Sequence, residues 1–369
     1  MTKKTIRVLQ FICSTGFYGA ERWVLALAKH LDPQIIQCDL AVTLEKGSQD
    51  LELVKQFKKS CGETFEVPMS NRFDLSVINK LVSLIKERGI DIIHTHGYKS
   101  DILGVVAAKK AGIKCIVTPH GFENAQDIKL RTFIWLGCKS MKYADLVVPL
   151  SRQLCNDSAN HGVKPSKLVY VQNGVDLSEV EEQRLKPKTE NDVKRIGFVG
   201  QMISRKNIFD ILDIFETLSD KHDNLQLILL GDGEQRQGLE EYASKLQHAK
   251  SIEFLGFRDD RLELLKNFDL FVMTSTLEGI PRCLMEAMAM GVPVAAYNIA
   301  GIDQLIKHKE NGLLAKLGDK ETLSSYWEQL LFDTELAETL ASKARAFINK
   351  HYSAQRMANE YTNLFQKMI

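Results

Sequence analysis

Glu278-Gly-Ile-Pro-Arg-Cys-Leu-Met-Glu286-Ala-Met-Ala-Met-Gly-Val-Pro293 sets two carboxylates eight residues apart. A Gly-Ile-Pro turn follows the first, and Glu286 sits two turns into the apolar helix beyond it. Proline suits a first helical turn, where its missing N–H would have no partner in any case. The remaining free N–H groups there form a seat for a phosphate. A carboxylate further along the same helix can reach a ribose diol beside that phosphate. The stretch reads as half of a nucleoside-diphosphate site, with Glu278 facing whatever hangs off the diphosphate.

Apolar runs at 270–273 and 294–297 flank this helix, and the same alternation extends over the whole chain. It is the pattern of βαβ units and parallel sheets. Strands are expected at 6–12, 36–43, 64–67, 91–94, 115–118, 146–149 and 168–171, with helices beginning near Gly19, Leu51, Leu75, Asp101, Ile128 and Ser151. A second set of strands fits 195–199, 225–230, 252–255, 270–273, 294–297 and 312–314. Its helices fit 206–218, 234–246, 258–267, 281–290 and 321 onward. The fold class is α/β, as two doubly wound Rossmann-like domains facing across a cleft, and ligands of such sheets bind at the carboxyl ends of the strands. The first domain is expected over 1–178, a charge-rich linker over 179–193 and the second domain over 194–351. The last helix, 352–369, is expected to rejoin the first domain.

Length favours two domains, and 44% hydrophobic with 26% charged residues excludes disorder and fibres. The net charge of +1 hides an asymmetry: residues 1–188 carry 27 Lys and Arg against 20 Asp and Glu, the remainder 21 against 27. A basic first half suits an anionic lipid surface or a phosphate-bearing acceptor; scattered solvated lysines are the plain alternative. Seven dispersed cysteines form no C-x-x-C pair, so they read as small buried hydrophobes of a reducing cytosol. Without an apolar leader or spanning run, the expectation is a cytoplasmic protein, meeting a membrane only from its inner face. No nucleic-acid partner is expected.

Glu-x7-Glu followed by Ala-Met-Ala-x-Gly-x-Pro-Val resembles the donor-site motif of the retaining glycosyltransferases of family 4, which have the GT-B fold. Other segments of the family follow in order along nearly the whole chain. The resemblance implies transfer of a hexose-type sugar from a nucleoside-diphosphate sugar, UDP-sugar before GDP-sugar, to a saccharide or lipid-linked acceptor in envelope polysaccharide synthesis. It places Gly200, Arg205, Lys206, Gly231, Gly256, Glu278, Gly279, Ile280 and Glu286 around the donor. Lys206 matches the family's lysine at a helix start, whereas Gln201 stands where the family usually has arginine, and Arg205 is the candidate substitute. Glu286 is expected at the ribose hydroxyls, and Glu278 with the Gly279 and Ile280 backbone at the sugar hydroxyls.

In the first half, Ser14-Thr-Gly16-Phe-Tyr-Gly19-Ala-Glu21-Arg22 resembles the glycine loop that closes over donor phosphates and acceptor. It lacks the third glycine of a dinucleotide fingerprint. His120, in Thr118-Pro-His-Gly121, matches the histidine beside the transferred sugar; the alternative is a structurally satisfied histidine. His96, Lys99 and Arg22 are the acceptor-side candidates. His94 and His96 lack the partners of a metal pair, and there is no Asp-x-Asp. No cofactor and no metal are expected, and Arg205, Lys206 and a helix dipole are to neutralise the diphosphate. His120, Glu278 and Lys206 are the catalytic candidates. Phe133, Ile134, Trp135 and Leu136 among cations read either as an interfacial membrane helix or as a core-packing one. Two other functions stay open: a nucleotide-sugar epimerase or hydrolase, and a non-catalytic nucleotide-sugar-binding subunit.

Overall fold

The computed structural model describes residues 5–14, 16–45, 50–71, 74–121, 128–188 and 192–369. Thr15 of the glycine loop and 189–191 of the expected linker lie outside them, as does the side chain of Phe133.

Contacts divide the chain into two units, Met1–Gly174 with Ala354–Ile369, and Val175–Ser353. In the first unit β1 (Ile6–Ile12), α1 (Gly19–His30), β2 (Ile36–Leu44), α2 (Glu52–Ser60), β3 (Thr64–Pro68), α3 (Ser76–Arg88), β4 (Ile92–His96), α4 (Tyr98–Ala111), β5 (Lys114–Val117), α5 (Ile128–Met141), β6 (Leu146–Val147) and α6 (Arg152–Asn160) alternate. The second unit holds α7 (Leu177–Arg184), β7 (Lys194–Val199), α8 (Ile208–Ser219), β8 (Leu225–Leu230), α9 (Arg236–Ala243), β9 (Ile252–Gly256), α10 (Arg261–Lys266), β10 (Leu270–Met273), α11 (Arg282–Met290), β11 (Val294–Asn298), α12 (Ile302–Leu305), β12 (Leu313–Lys316), α13 (Lys320–Phe332) and α14 (Thr334–His351). The last helix, α15 (Ala354–Met368), belongs to the first unit.

Both sheets are parallel and share one topology. The first runs β3-β2-β1-β4-β5-β6 and the second, read from its far edge, β9-β8-β7-β10-β11-β12. The strand order reverses between β1 and β4 and again between β7 and β10, and those switch points open a crevice at the carboxyl ends. Helices cover both faces of each sheet, so strands such as Leu270–Met273 are buried along their whole length and read as unbroken apolar runs. Tyr361 and Phe365 of α15 enter the first unit's core beside Trp23 and Leu27.

Several expectations are corrected. The run 168–171 is not a strand. Val169 N–H reaches Val147 O at 3.1 Å, and then the chain turns away, its Gln172 and Asn173 carbonyls accepting from Arg356 of α15. The first part of the expected linker is helical. Asp176 caps α7 through Ser178 N–H, and buried Val180 anchors the charge-rich helix on its apolar neighbours. The helix expected from Lys206 starts at Ile208, because Ser204–Lys206 is a 3₁₀ turn and Asn207 is left-handed (φ 48°). All seven cysteines are free, but only Cys38, Cys115 and Cys138 are buried; the others are half-buried.

Candidate functional site

The second unit gathers its candidates at the β7/β10 switch point. The loops after β7, β8 and β9 are laced together through the expected glycines. Gly200 N–H donates to Leu230 O at 2.9 Å, and Gly231 N–H to Gly256 O at 2.8 Å. At Gly231 (φ 133°) a Cβ would lie 1.8 Å from Gly200 O, so only glycine allows the loops to stack this closely.

The loop after β10 carries Glu278, which is buried (8% exposed). Its Oε1 accepts from Lys206 Nζ at 2.5 Å and its Oε2 from Arg205 Nη1 at 3.2 Å. Burial alone would raise its pKa. The charges of Lys206 and then Arg205 outweigh that and hold it below the usual carboxylate value. Gln201, at the position of the family's arginine, is exposed.

Pro281 is the N-cap of α11 and not its first helical residue, a correction of one position. The first helical bond runs from Met285 N–H to Pro281 O, so the amides of Arg282, Cys283 and Leu284 precede it. Among the described residues no side chain caps this end. Glu286, on the second turn, is 2% exposed. Its Oε1 accepts from Arg261 Nη2 and Arg282 Nε, both at 2.7 Å, and its Oε2 from Arg261 Nε at 3.2 Å. Burial is opposed by Arg261 and then Arg282, which bring its pKa down to about 2. The half-buried Cys283 thiol feels Lys206, Glu278 and Glu286 together, although burial dominates and pushes it up to about 11. Glu286, expected at the ribose, is thus engaged by two arginines, and Lys206, expected at phosphate, by Glu278. Ile280 is half-buried, and the Gly279 carbonyl is covered by Gly301.

In the first unit the loop after β1 is fastened by Glu21. Its carboxylate accepts from Ser14 Oγ at 2.9 Å and from Tyr18 N–H at 3.0 Å. Gly16 lies under the Tyr18 ring, Gly19 opens α1, and the Arg22 guanidinium stands 4.3 Å over Phe17. Lys99 is paired with Glu45. His94, His96 and His120 surround Trp23, with ring centroids 5.3–5.9 Å away. His120 is half-buried. His96 is 3% exposed, and both of its ring nitrogens are already bonded, to Gln10 and His120. The acceptor-side candidate His96 thus has both ring nitrogens engaged within the protein. Among the described residues no group of three or more His, Cys, Asp or Glu is placed to hold a metal ion.

Residues 17–179 match the family model described as Glycosyltransferase Family 4, and residues 179–347 the one described as Glycosyl transferases group 1. The chain belongs to this glycosyltransferase family. Among its relatives is the UDP-Gal:alpha-D-GlcNAc-diphosphoundecaprenol alpha-1,3-galactosyltransferase of Escherichia coli, 28% identical over 315 residues and covering 80% of each chain. N-acetyl-alpha-D-glucosaminyl L-malate synthase of Bacillus anthracis is 25% identical over 309 residues, again 80% of each. In fold, this glycosyltransferase superposes on Anabaena Alr3699/HepE in complex with UDP-glucose with a TM-score of 0.83 at 21% identity, over 98% of this chain and 100% of that one. The two Rossmann-like units are those of a GT-B glycosyltransferase.

Sequence reasoning missed four residues of this glycosyltransferase's candidate site. Arg282 stands four residues before Glu286 on one helical face, a spacing that signals a pair. Arg261, Gln10 and Gly301 carry no local signal, because their partners lie 25, 86 and 22 residues away.

Proposed function

We propose that the protein moves a hexose-type sugar from a UDP-sugar to a hydroxyl of a saccharide or lipid-linked acceptor in envelope polysaccharide synthesis, with retention at C1 and without a metal. One observation carries this reading: buried Glu278 is paired with two cations, buried Lys206 and half-buried Arg205, which leaves a surplus positive charge on the loops that also carry the open amides of α11. A diphosphate supplies the missing negative charge, and low dielectric strengthens the attraction. The relative that uses UDP-Gal and the UDP complexes of Anabaena HepE favour uracil. The relatives acting on diphosphoundecaprenol acceptors favour a lipid-linked saccharide.

In this reading Glu286 holds the ribose diol, turned by Arg261 and Arg282, and Glu278 holds sugar hydroxyls. As the bond from C1 to the diphosphate oxygen breaks, Lys206 and Arg205 stabilise the charge arriving on the leaving group. The acceptor hydroxyl attacks C1 from the same face, and its proton passes to the departing diphosphate. His120 contacts the transferred sugar.

Contact with an anionic membrane is part of the proposal. Ile134, Cys138 and Met141 of α5 pack inward, while Trp135 (56% exposed) and Leu136 face solvent with Tyr143 (54%). Lys139 lies over Trp135, and Lys109 and Lys142 over Tyr143. Exposed aromatic rings ringed by lysines are suited to a headgroup layer. Among the described residues no helix is long and apolar enough to cross a membrane.

The test is thermal unfolding with UDP, GDP, ADP and CMP, with and without Mg²⁺, followed by turnover of UDP-sugars with and without acceptor. The proposal expects stabilisation by UDP irrespective of Mg²⁺, transfer only with acceptor, and an axial anomeric product from an axial donor. UDP release of equal rate without acceptor indicates the epimerase or hydrolase reading. Binding without any turnover indicates the non-catalytic one.

A further inference from the structure

We propose that Gln10 and His96 are positioning residues that fix the tautomer of His120, so that His120 meets its ligand with a bare, hydrogen-bond-accepting Nδ1. This rests on the reading above that His120 stands beside the transferred sugar. The chain of bonds begins on β1. Gln10 and His94 are opposite one another in the parallel pairing of β1 and β4, and His96 follows two residues later on the same face. Gln10 is fully buried. Its amide nitrogen donates to Cys38 Sγ on β2 at 3.6 Å, which turns its carbonyl toward His96.

That carbonyl, Oε1, lies 2.8 Å from His96 Nε2. A carbonyl only accepts, so His96 Nε2 carries the ring's proton. A neutral imidazole has one N–H, which leaves His96 Nδ1 as an acceptor. His96 Nδ1 lies 3.2 Å from His120 Nε2. Two acceptors do not bond, so His120 Nε2 donates, and the lone pair of neutral His120 is on Nδ1. Both rings are neutral at ordinary pH, because burial holds His120 down to about 4 and His96 well below 6.5. The bond of His120 to His96 is made through Nε2, which leaves its Nδ1 outside this chain of bonds. His94 stays outside this chain, since its Nε2 bonds Thr118 Oγ1 at 2.7 Å and Thr118 bonds Tyr361 Oη at 2.9 Å.

The consequence is a selection rule. A bare Nδ1 accepts from a sugar hydroxyl and has nothing to offer a group that only accepts. A histidine of the opposite tautomer would donate to that group and hold the hydroxyl less discriminately.

The test is histidine ¹⁵N NMR of the ligand-free protein, assigned with His96→Gln and His120→Gln. Each neutral ring is expected as the Nε2–H tautomer. Gln10→Met removes the fixed acceptor and is expected to convert His120 to a mixture of tautomers. It is also expected to lower kcat roughly ten- to a hundredfold, as loss of an outer hydrogen-bond partner does for metal-bound histidines, with UDP affinity unchanged. Gln10→Glu puts a carboxylate against His96 Nε2, which favours the His96 imidazolium; its Nδ1 then donates to His120 Nε2, and His120 is expected to move to the Nδ1–H form. An Nδ1–H form of His120 in the wild type overturns the proposal, and so does a His120 signal unmoved by Gln10→Met in a folded protein. Transfer unimpaired in His120→Ala would instead remove His120 from the reaction while leaving the tautomer result standing.

Discussion

Lys206 Nζ stands 2.5 Å from Glu278 Oε1, and neither side chain exposes a tenth of its surface. A pair this sealed is destabilised most by losing one partner, because the other keeps an uncompensated buried charge. Lys206→Met is expected to cost about 3–5 kcal/mol at most, less whatever Arg205 recovers for Glu278. The double variant Lys206→Met/Glu278→Gln should cost less than the sum of the singles in urea unfolding. Strict additivity would show that the two groups are energetically independent.

Glu286→Gln keeps the volume and the hydrogen-bonding edge but removes the charge that Arg261 and Arg282 share. It is expected to fold less stably and to lose most of the thermal shift given by UDP. A full UDP shift in this variant would take the ribose contact away from Glu286.

Acid should weaken the protein in two stages. The neutral histidines bind protons in the unfolded chain before the folded one, with His120 held to about 4 and His94 to about 3. Between pH 6.5 and about 4 the unfolded state therefore carries the extra protons, and stability falls by up to about 1.4 kcal/mol per pH unit for each such ring. Glu286, depressed to about 2, contributes stability that is present above pH 4.5 and is lost as pH falls toward 2. Unfolding free energy measured from pH 7 to 4 should slope downward, and His94→Phe should flatten it. A flat wild-type profile over that range would mean that these rings are protonated in the fold.

Gly301 has φ 92°, and a Cβ there would lie 1.7 Å from Gly279 O. Gly301→Ala is expected to cost roughly 1–3 kcal/mol through strain alone and more through displacement of the loop behind Glu278. UDP-sugar KM should rise with it. An alanine variant of unchanged stability and KM would show that the Glu278 loop does not depend on this contact.

Trp23 and Trp327 are 2% and 0% exposed, so Trp135 is the tryptophan that answers to solvent. Vesicles containing anionic lipid should shift its emission to the blue, and high salt or Lys139→Glu with Lys142→Glu should abolish the shift. Neutral vesicles should leave the spectrum unmoved. No shift on anionic vesicles would remove the membrane from the proposal.

Much of the fold was legible because strands buried on both faces, such as 225–230 and 270–273, are apolar runs between turn residues. The run 168–171 has the same look yet finds no lengthy neighbour, since β6 offers only Leu146 and Val147. Helix α7 was hidden by its charge: Leu177 and Val180 are its apolar contacts with the core. Motif spacing singled out Glu278, Glu286 and Lys206. It said nothing of Arg261 or Gln10, whose importance comes from tertiary contact with residues far along the chain, and a single sequence holds no record of such contacts.

The first unit is finished by residues synthesised after the second. Tyr361 and Phe365 fill its core, yet they leave the ribosome only after the whole of Val175–Ser353. During translation the first unit must wait with an apolar slot open beside Trp23 and Leu27, through the time needed to make the second. A nascent chain that stalls or is clipped before α15 would carry that open slot permanently, which marks it for chaperones and proteases. The order of the gene thus makes completion of the first unit a check that the second has already been made.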